Sequence, residues 1–381
     1  METLGLCRVG GMRVVELLLT AALALALTIN IDNTVASPSV EGYMGPVELG
    51  GGLFAKYKVR PADFCVVVNA SDVSIVNFSV RCSAGILVVN SHNVTVAHGV
   101  LAGNPALPVH LRGAGIYVYN STAVVIRNVK IEAFHDGIYV ERSAYVKIEN
   151  VSVSNSRYGI HIMFSSHVEV TGVTASGNYV GAAVMYTHNA AVWRSAFTRN
   201  VNWAEGYGLF IADVSNGTFT YNNSTGNIHG IYILVMGSRA HVVISNNLIA
   251  ENYVGFTYRG VSSGEVHIVN NTFVGNSIPA LYVDIFLTGG ELRARISGNM
   301  WQGHSSPNPY VYRSAFAEVL AKTEFLTAPM SASPARFLVE SFAVGNVAFI
   351  DPSPRPYEAP PATWTAAALA LALLWLLTRR R

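Results

Sequence analysis

Cysteine and charge are both scarce in this chain. Three cysteines stand among 381 residues, and Asp, Glu, Lys and Arg together make up 13%. The formal net charge is +2, which gives no electrostatic footprint for nucleic acid or another polyanionic partner. A nucleophile elbow, a phosphate-binding loop and a zinc-ligand spacing are all missing. The carboxylates do not gather either. Asp136 and Glu141 share one stretch, while Glu205 and Asp213 flank another at a distance. Glycoside hydrolysis needs two acids converging on one bond, so this scatter speaks against a hydrolase, and no Lys or Arg pairs with an acid in a way that would suit a lyase.

What the chain has is a repeat. Gly115-Ile-Tyr-Val, Gly137-Ile-Tyr-Val, Gly159-Ile-His-Ile, Gly181-Ala-Ala-Val, Gly208-Leu-Phe-Ile, Gly230-Ile-Tyr-Ile and Gly255-Phe-Thr-Tyr follow one another at spacings of 22, 22, 22, 27, 22 and 25 residues. Gly85-Ile-Leu-Val extends the series backward and Ala280-Leu-Tyr-Val forward. Each unit adds a second β-rich run, such as Tyr145-Val-Lys-Ile-Glu, and a third, shorter one, such as Val151-Ser-Val. A period near 22 residues built from short strands and Gly/Asn turns is a solenoid signature. Asn128, Asn150, Asn246 and Asn270 recur at one corner, where Asn tolerates the left-handed conformation and bonds along the stack. The expected fold is all-β, a right-handed parallel β-helix over residues 85–302. Residues 37–84 form its N-terminal cap and first coils.

The two ends read differently. Arg8 and Arg13 precede an apolar run to Ile29, and Thr34-Val-Ala36 offers a small-residue cleavage site, so residues 1–36 read as an export signal. The alternative is an uncleaved membrane helix. Cys65 and Cys82, a little less than one coil apart, are then the remaining cysteines, with a disulfide across the first coil preferred over a thiolate metal site. Residues 303–350 carry helical apolar spacing at 314–325 and 333–342 and are expected to cap the last coil. A Pro-rich linker, 351–363, leads to an apolar stretch ending in Arg379-Arg380-Arg381, read as a C-terminal membrane anchor over 364–381.

Side chains alternate along a strand, so the residues two and four after each glycine point away from the core. The first row reads Tyr117, Tyr139, His161, Ala183, Phe210, Tyr232 and Thr257; the second reads Tyr119, Glu141, Met163, Met185, Ala212, Leu234 and Arg259. Met163 and Met185 stack on adjacent rungs with His161 beside them, and His188 and His167 lie just beyond. Imidazole with thioethers is a soft donor set that selects Cu(I). His161, Met163, Met185 and His188 are therefore candidate ligands for transient Cu(I). The competing reading is a docking surface of Tyr117, Tyr139, Phe210 and Tyr232, rimmed by Trp203 and Glu205 (and His110) from two insertions. An aromatic row that binds or presents sugars to a cleaving centre, and a solenoid without ligand, also stay open.

Gly-Ile-His-Ile-Met-Phe-Ser (159–165), Val-Gly-Ala-Ala-Val-Met-Tyr (180–186) and Gly-Tyr-Gly-Leu-Phe-Ile (206–211), followed by Gly298-Asn-Met-Trp301 and Pro309-Tyr310, resemble the NosD family. The resemblance covers roughly 80–345. It implies an exported, non-enzymatic maturation factor that helps assemble the copper centre of nitrous oxide reductase. Partners implied are the reductase, an ABC transporter ATPase and its membrane subunit. The chain departs from the family in Gln302-Gly-His-Ser-Ser-Pro-Asn308, where an acidic stretch is common, and in its C-terminal anchor. The anchor places the protein on the extracytoplasmic face of the membrane.

Overall fold

The computed structural model describes residues 64–202, 206–237, 240–260, 265–284, 294–312 and 349–357, and the backbone of three earlier strands. It is a parallel β-helix of the right-handed type with about nine turns. One face is a 12-stranded sheet, here called the long sheet. Its rungs include Ala114–Tyr119, Asp136–Glu141, Tyr158–Met163, Val180–Met185, Tyr207–Ala212 and His229–Val235. Each continues into a second strand and a third, as Ala144–Glu149 and Ser152–Ser154 do in one coil. Three strands per coil and their parallel pairing are as the repeat predicts.

The repeated glycine has a steric cause. A β-carbon on Gly115 would lie 2.5 Å from the carbonyl oxygen of Gly137, and one on Gly137 would lie 2.6 Å from that of Gly159. The coils approach each other so closely here that no side chain fits. Gly137→Ala is expected to cost about 2 kcal/mol, the usual scale of overpacking, measured as a fall in unfolding free energy in urea.

The core inside the coils is aliphatic. Ile116, Ile138 and Ile160 stack on successive rungs, facing Val124, Val146 and Val168. Polar ladders hold the corners. Ser91, Ser121, Ser143 and Ser165 each receive the backbone N–H of the preceding rung's equivalent serine or stand at its end, at 3.1–3.2 Å. Asn178, Asn200, Asn227, Asn252 and Asn276 repeat the arrangement at another corner. Asn128, Asn150, Asn246 and Asn270 do take positive φ, 51° to 57°. The buried ladder, however, runs through a neighbouring row: Asn222, Asn247, Asn271 and Asn299. Water cannot reach these amides, so each depends on the rung beside it.

That last ladder ends on Asp351. Its Oδ2 accepts from the Asn299 backbone N–H (3.2 Å), the Asn299 side chain (2.9 Å) and Trp301 Nε1 (3.1 Å). Tyr310–Tyr312 pairs antiparallel with Phe349–Asp351, so a small strand pair lies against the final coil. The linker expected over 351–363 thus begins inside the fold, with Asp351 fully buried and Arg355 Nη2 bonded to the Asn270 carbonyl at 3.0 Å. The helical cap at 314–325 and 333–342 and the anchor at 364–381 lie outside the described residues. Among the described residues the one helical element is the short 3-10 turn Val109–Leu111, and no helix is long and apolar enough to cross a membrane.

Two more expectations meet the structure. Within the segment read as an export signal, Leu6–Val9, Met12–Glu16 and Leu27–Asn30 are strands. Val15 and Glu16 pair with Val66 and Val67, and Leu27–Asn30 runs beside Val73–Val76. Cys65 and Cys82 stand as separate thiols, both buried, where a disulfide was preferred. The Cys65 backbone N–H and the Cys82 thiol both donate to the Ala84 carbonyl, at 3.0 and 2.9 Å. The contact with Cys65, and then burial, push the Cys82 thiol up.

Candidate functional site

The outward rows do point away from the aliphatic core, but most of their residues are closed to solvent. Tyr117, Tyr139, His161, Ala183, Tyr232 and Met163 are all buried; Tyr139 and His161 are each 1% exposed and Met163 6%. Phe210 and Met185 are half-buried. The open, sticky face expected from alternation is therefore a second apolar layer. The register explains part of this closure. Rings on successive rungs fall on one another: Tyr117 and Tyr139 stack at 4.8 Å, and Tyr139 and His161 at 4.6 Å. Tyr158 covers the imidazole as well, at 4.4 Å.

Inside this layer lies a polar cluster. Asp136 opens the rung before His161, and one carboxylate oxygen faces each of two imidazoles. Oδ2 is 3.5 Å from His161 Nδ1, and Oδ1 is 3.5 Å from His135 Nδ1. Asp136 is fully buried. Neither of its oxygens and neither ring nitrogen of His161 has a hydrogen bond within normal geometry. Burial by itself would raise the Asp136 carboxyl, but the His135 and His161 imidazoles outweigh it and hold it well below the usual carboxylate range. The carboxylate is thus ionised at neutral pH. A buried anion and a buried imidazole with unused valence are costly to keep, which makes this the most unusual spot on the long sheet.

The geometry gives the imidazole a direction. Nδ1 is the ring nitrogen turned to Asp136, so Nε2 is the one available to a ligand. A carboxylate behind one ring nitrogen is the usual way of orienting a ligating histidine and raising its basicity. The next rung has Ala183 opposite His161, the smallest side chain of the row. Further along the strand, Met163 and Met185 are in register, and the Met163 sulfur lies 3.8 Å from the Tyr139 hydroxyl. Glu141 completes the cluster, accepting from the Tyr117 hydroxyl at 2.6 Å. Burial, and then Glu141, push the Tyr117 phenol up, so it stays a donor.

The remaining candidates fall elsewhere. His188 starts a strand of the second face, not the long sheet. It is exposed, with Nδ1 3.0 Å from the Ser215 hydroxyl and its ring edge-on to His167 at 6.1 Å. It does not join His161. His110 sits in the exposed turn Val109–Leu111, and Trp203 and Glu205 lie outside the described residues. Among the described residues, no three or more His, Cys, Asp or Glu side chains form a group that could hold a metal. A set built on nitrogen and thioether sulfur is a different matter. His161, with neither ring nitrogen in a hydrogen bond and two in-register methionines two residues along the same strands, fits a soft monovalent ion better than a hard divalent one.

Asp136 is legible in the sequence as an acid, but its partnership with His161 is not. Counting alternation from the glycine leaves the residue just before it off the outer face. The packing of Tyr158, Val180 and Tyr207 with Ala183 and Tyr232 shows that this position does share the face. Rows written from the residue before the glycine would have put Asp136 one rung from His161.

Among solved structures, the chain resembles the Dettilon tailspike protein at 10% identity and a TM-score of 0.48, over 66% of this chain and 60% of that one. It also resembles the A-module of the Azotobacter vinelandii mannuronan C-5 epimerase AlgE4, at 15% identity and a TM-score of 0.45, over 66% of this chain and 77% of that one. An alginate lyase from Paenibacillus is similar at 11% identity and a TM-score of 0.30, over 63% and 91% of the two chains. These likenesses bear on shape and carry no chemistry across. No curated protein matches the chain. Residues 101–305, more than half of the sequence, match the family described as periplasmic copper-binding protein (NosD). The chain belongs to the NosD family.

Proposed function

We propose that this protein is an exported copper-handling factor that receives Cu(I) as cargo and serves copper-centre assembly in nitrous oxide reductase. Export through residues 1–36, tethering through 364–381 and work alongside an ABC transporter ATPase and its membrane subunit belong to the same reading. The observation that carries it is His161. Its two buried nitrogens are without a hydrogen bond, Asp136 lies behind one of them, and the in-register pair Met163 and Met185 is on the same face. Asp136 orients the imidazole, His161 Nε2 and the two sulfurs take the ion, and the surrounding rings keep water away. Thioethers bind Cu(I) without losing protons, so capture and release leave the local charge balance to Asp136 and the histidines. Met185, the half-buried sulfur, is where cargo would be exchanged.

X-ray absorption at the copper edge tests this on the full chain loaded with Cu(I) under anaerobic conditions. Sulfur and imidazole scatterers together are expected, and the spectrum should survive Cys65→Ser with Cys82→Ser. A spectrum of nitrogen and oxygen alone, or one that vanishes with the cysteines, would overturn the assignment.

A second reading rests on the same cluster. Asp136, His161, Tyr139 and Glu141 bring two acids, an imidazole and a phenol onto one face, the kind of groups that general acid–base catalysis uses. Carbohydrate cleavage or binding on this face requires it to open, since Tyr139 and His161 are closed to solvent.

A further inference from the structure

A separate site lies at the corner where the long sheet turns into the second face. On four successive rungs this corner carries Arg142, Phe164, Tyr186 and Asp213, each with φ between 45° and 49°. Backbone bonds to the next rung fix their spacing: Arg142 N to Met163 O, Phe164 N to Met185 O, Tyr186 N to Ala212 O and Asp213 N to Leu234 O, at 2.8–3.3 Å. The first two rungs of the same row carry Asn90 and Asn120, joined side chain to side chain at 2.8 Å. Asn is the residue that occupies this left-handed conformation with least strain. Phe164 and Tyr186 take it at higher cost, which sets one ring on the next at the surface, Phe164 half-buried and Tyr186 exposed.

The rings are nearly parallel, 5.2 Å apart at 12°, and Tyr186 is 44% exposed. They form one wall of an open groove of about 670 Å³, within the usual range for small-ligand sites. The other wall is hydroxylated: Ser166, His188 and Ser215 stand in register on adjacent rungs. His188 uses Nδ1 on Ser215 and so keeps Nε2 for a ligand. Asp213 closes one end. Its Oδ1 accepts the backbone N–H groups of Met236 and Gly237 at 2.7 and 3.0 Å, which leaves Oδ2 for a ligand.

We infer that this groove binds a neutral glycan lying along the solenoid axis. The apolar C–H face of a pyranose carries partial positive charge and matches the negative face of an aromatic ring. Its equatorial hydroxyls then meet donors and acceptors set around the ring plane, which Asp213 Oδ2, His188 Nε2 and the serine hydroxyls supply. A purely apolar ligand would strand these polar groups, and a uronate would meet the Asp213 carboxylate. Rungs are about 4.8 Å apart, so the three corner residues that line the groove, Phe164, Tyr186 and Asp213, together span more than a single sugar. The inference does not rest on copper handling: it concerns another face and other residues.

Calorimetric titration of the full chain with cellotetraose, xylotetraose and mannotetraose tests it, with trimannuronate as the charged comparison and an aromatic tetrapeptide as the rival ligand. Saturable binding of at least one neutral tetrasaccharide is expected. Tyr186→Asn, which installs the residue this row already uses at Asn120, should weaken it about tenfold, the scale of one lost ring contact. His188→Ala should weaken it as well, with far-ultraviolet circular dichroism unchanged in both. No binding across the neutral panel overturns the inference. So does preference for trimannuronate or for the peptide, and so does neutral-sugar binding that both variants leave intact.

Discussion

Trp301→Ala is expected to lower the unfolding free energy by about 3–5 kcal/mol, the cost of truncating a large buried aromatic residue. Trp301 is 1% exposed and sandwiched face to face between Phe273, at 4.1 Å and 6°, and Tyr310, at 4.4 Å and 6°. Phe349 meets its edge at 5.6 Å, and its indole N–H donates to Asp351. One side chain therefore joins the last coil to the closing strand pair. Alanine would remove all three ring contacts and one of the three donors on Asp351 Oδ2. In a solenoid each coil is stabilised mainly by its neighbours, so the loss should appear first at this end. Urea unfolding reads the total, and hydrogen exchange should show early loss of protection in the strands Glu265–Val269, Thr272–Val274, Ala294–Ser297 and Met300–Trp301. A change under about 1 kcal/mol, or uniform loss of protection along the chain, would mean that closure depends on other contacts.

The fold was readable because its cause is local and repeated. The 22-residue interval from Gly115 to Gly137 and again to Gly159 records a place where successive coils approach so closely that a β-carbon at these glycines would meet the next rung's carbonyl. Asn at 128, 150, 246 and 270 marks the left-handed corner for an equally local reason. What alternation could not give was exposure. It correctly turned Tyr139, His161 and Met163 from the core, but whether a face is open depends on everything packed near it, a non-local property. The same limit hid the pairing of Asp136 with His161, which crosses from one rung to the next. His188 is instructive in the opposite way. Its sequence distance from Met185 is short, yet the corner at Tyr186 turns it onto another face. Proximity along the chain does not survive a turn of the solenoid.

The copper reading places the largest functional effect on the methionine pair. Leucine conserves the volume of methionine, and such exchanges usually cost under about 1.5 kcal/mol of stability. Met163→Leu with Met185→Leu should therefore fold as the parent does while losing both sulfurs. Asp136→Asn leaves every proposed ligand in place and removes only the charge behind His161. Losses of that kind typically weaken metal binding by about 10–100-fold.

Anaerobic Cu(I) titration of the full chain against a bathocuproine-type competitor brings these variants together. The parent chain should withdraw Cu(I) from the competitor. Asp136→Asn should bind more weakly within the range just given, and the double leucine variant should fall by more than about 100-fold. Equal uptake by the parent chain and the double variant, or no uptake by either, would contradict copper handling at His161, Met163 and Met185.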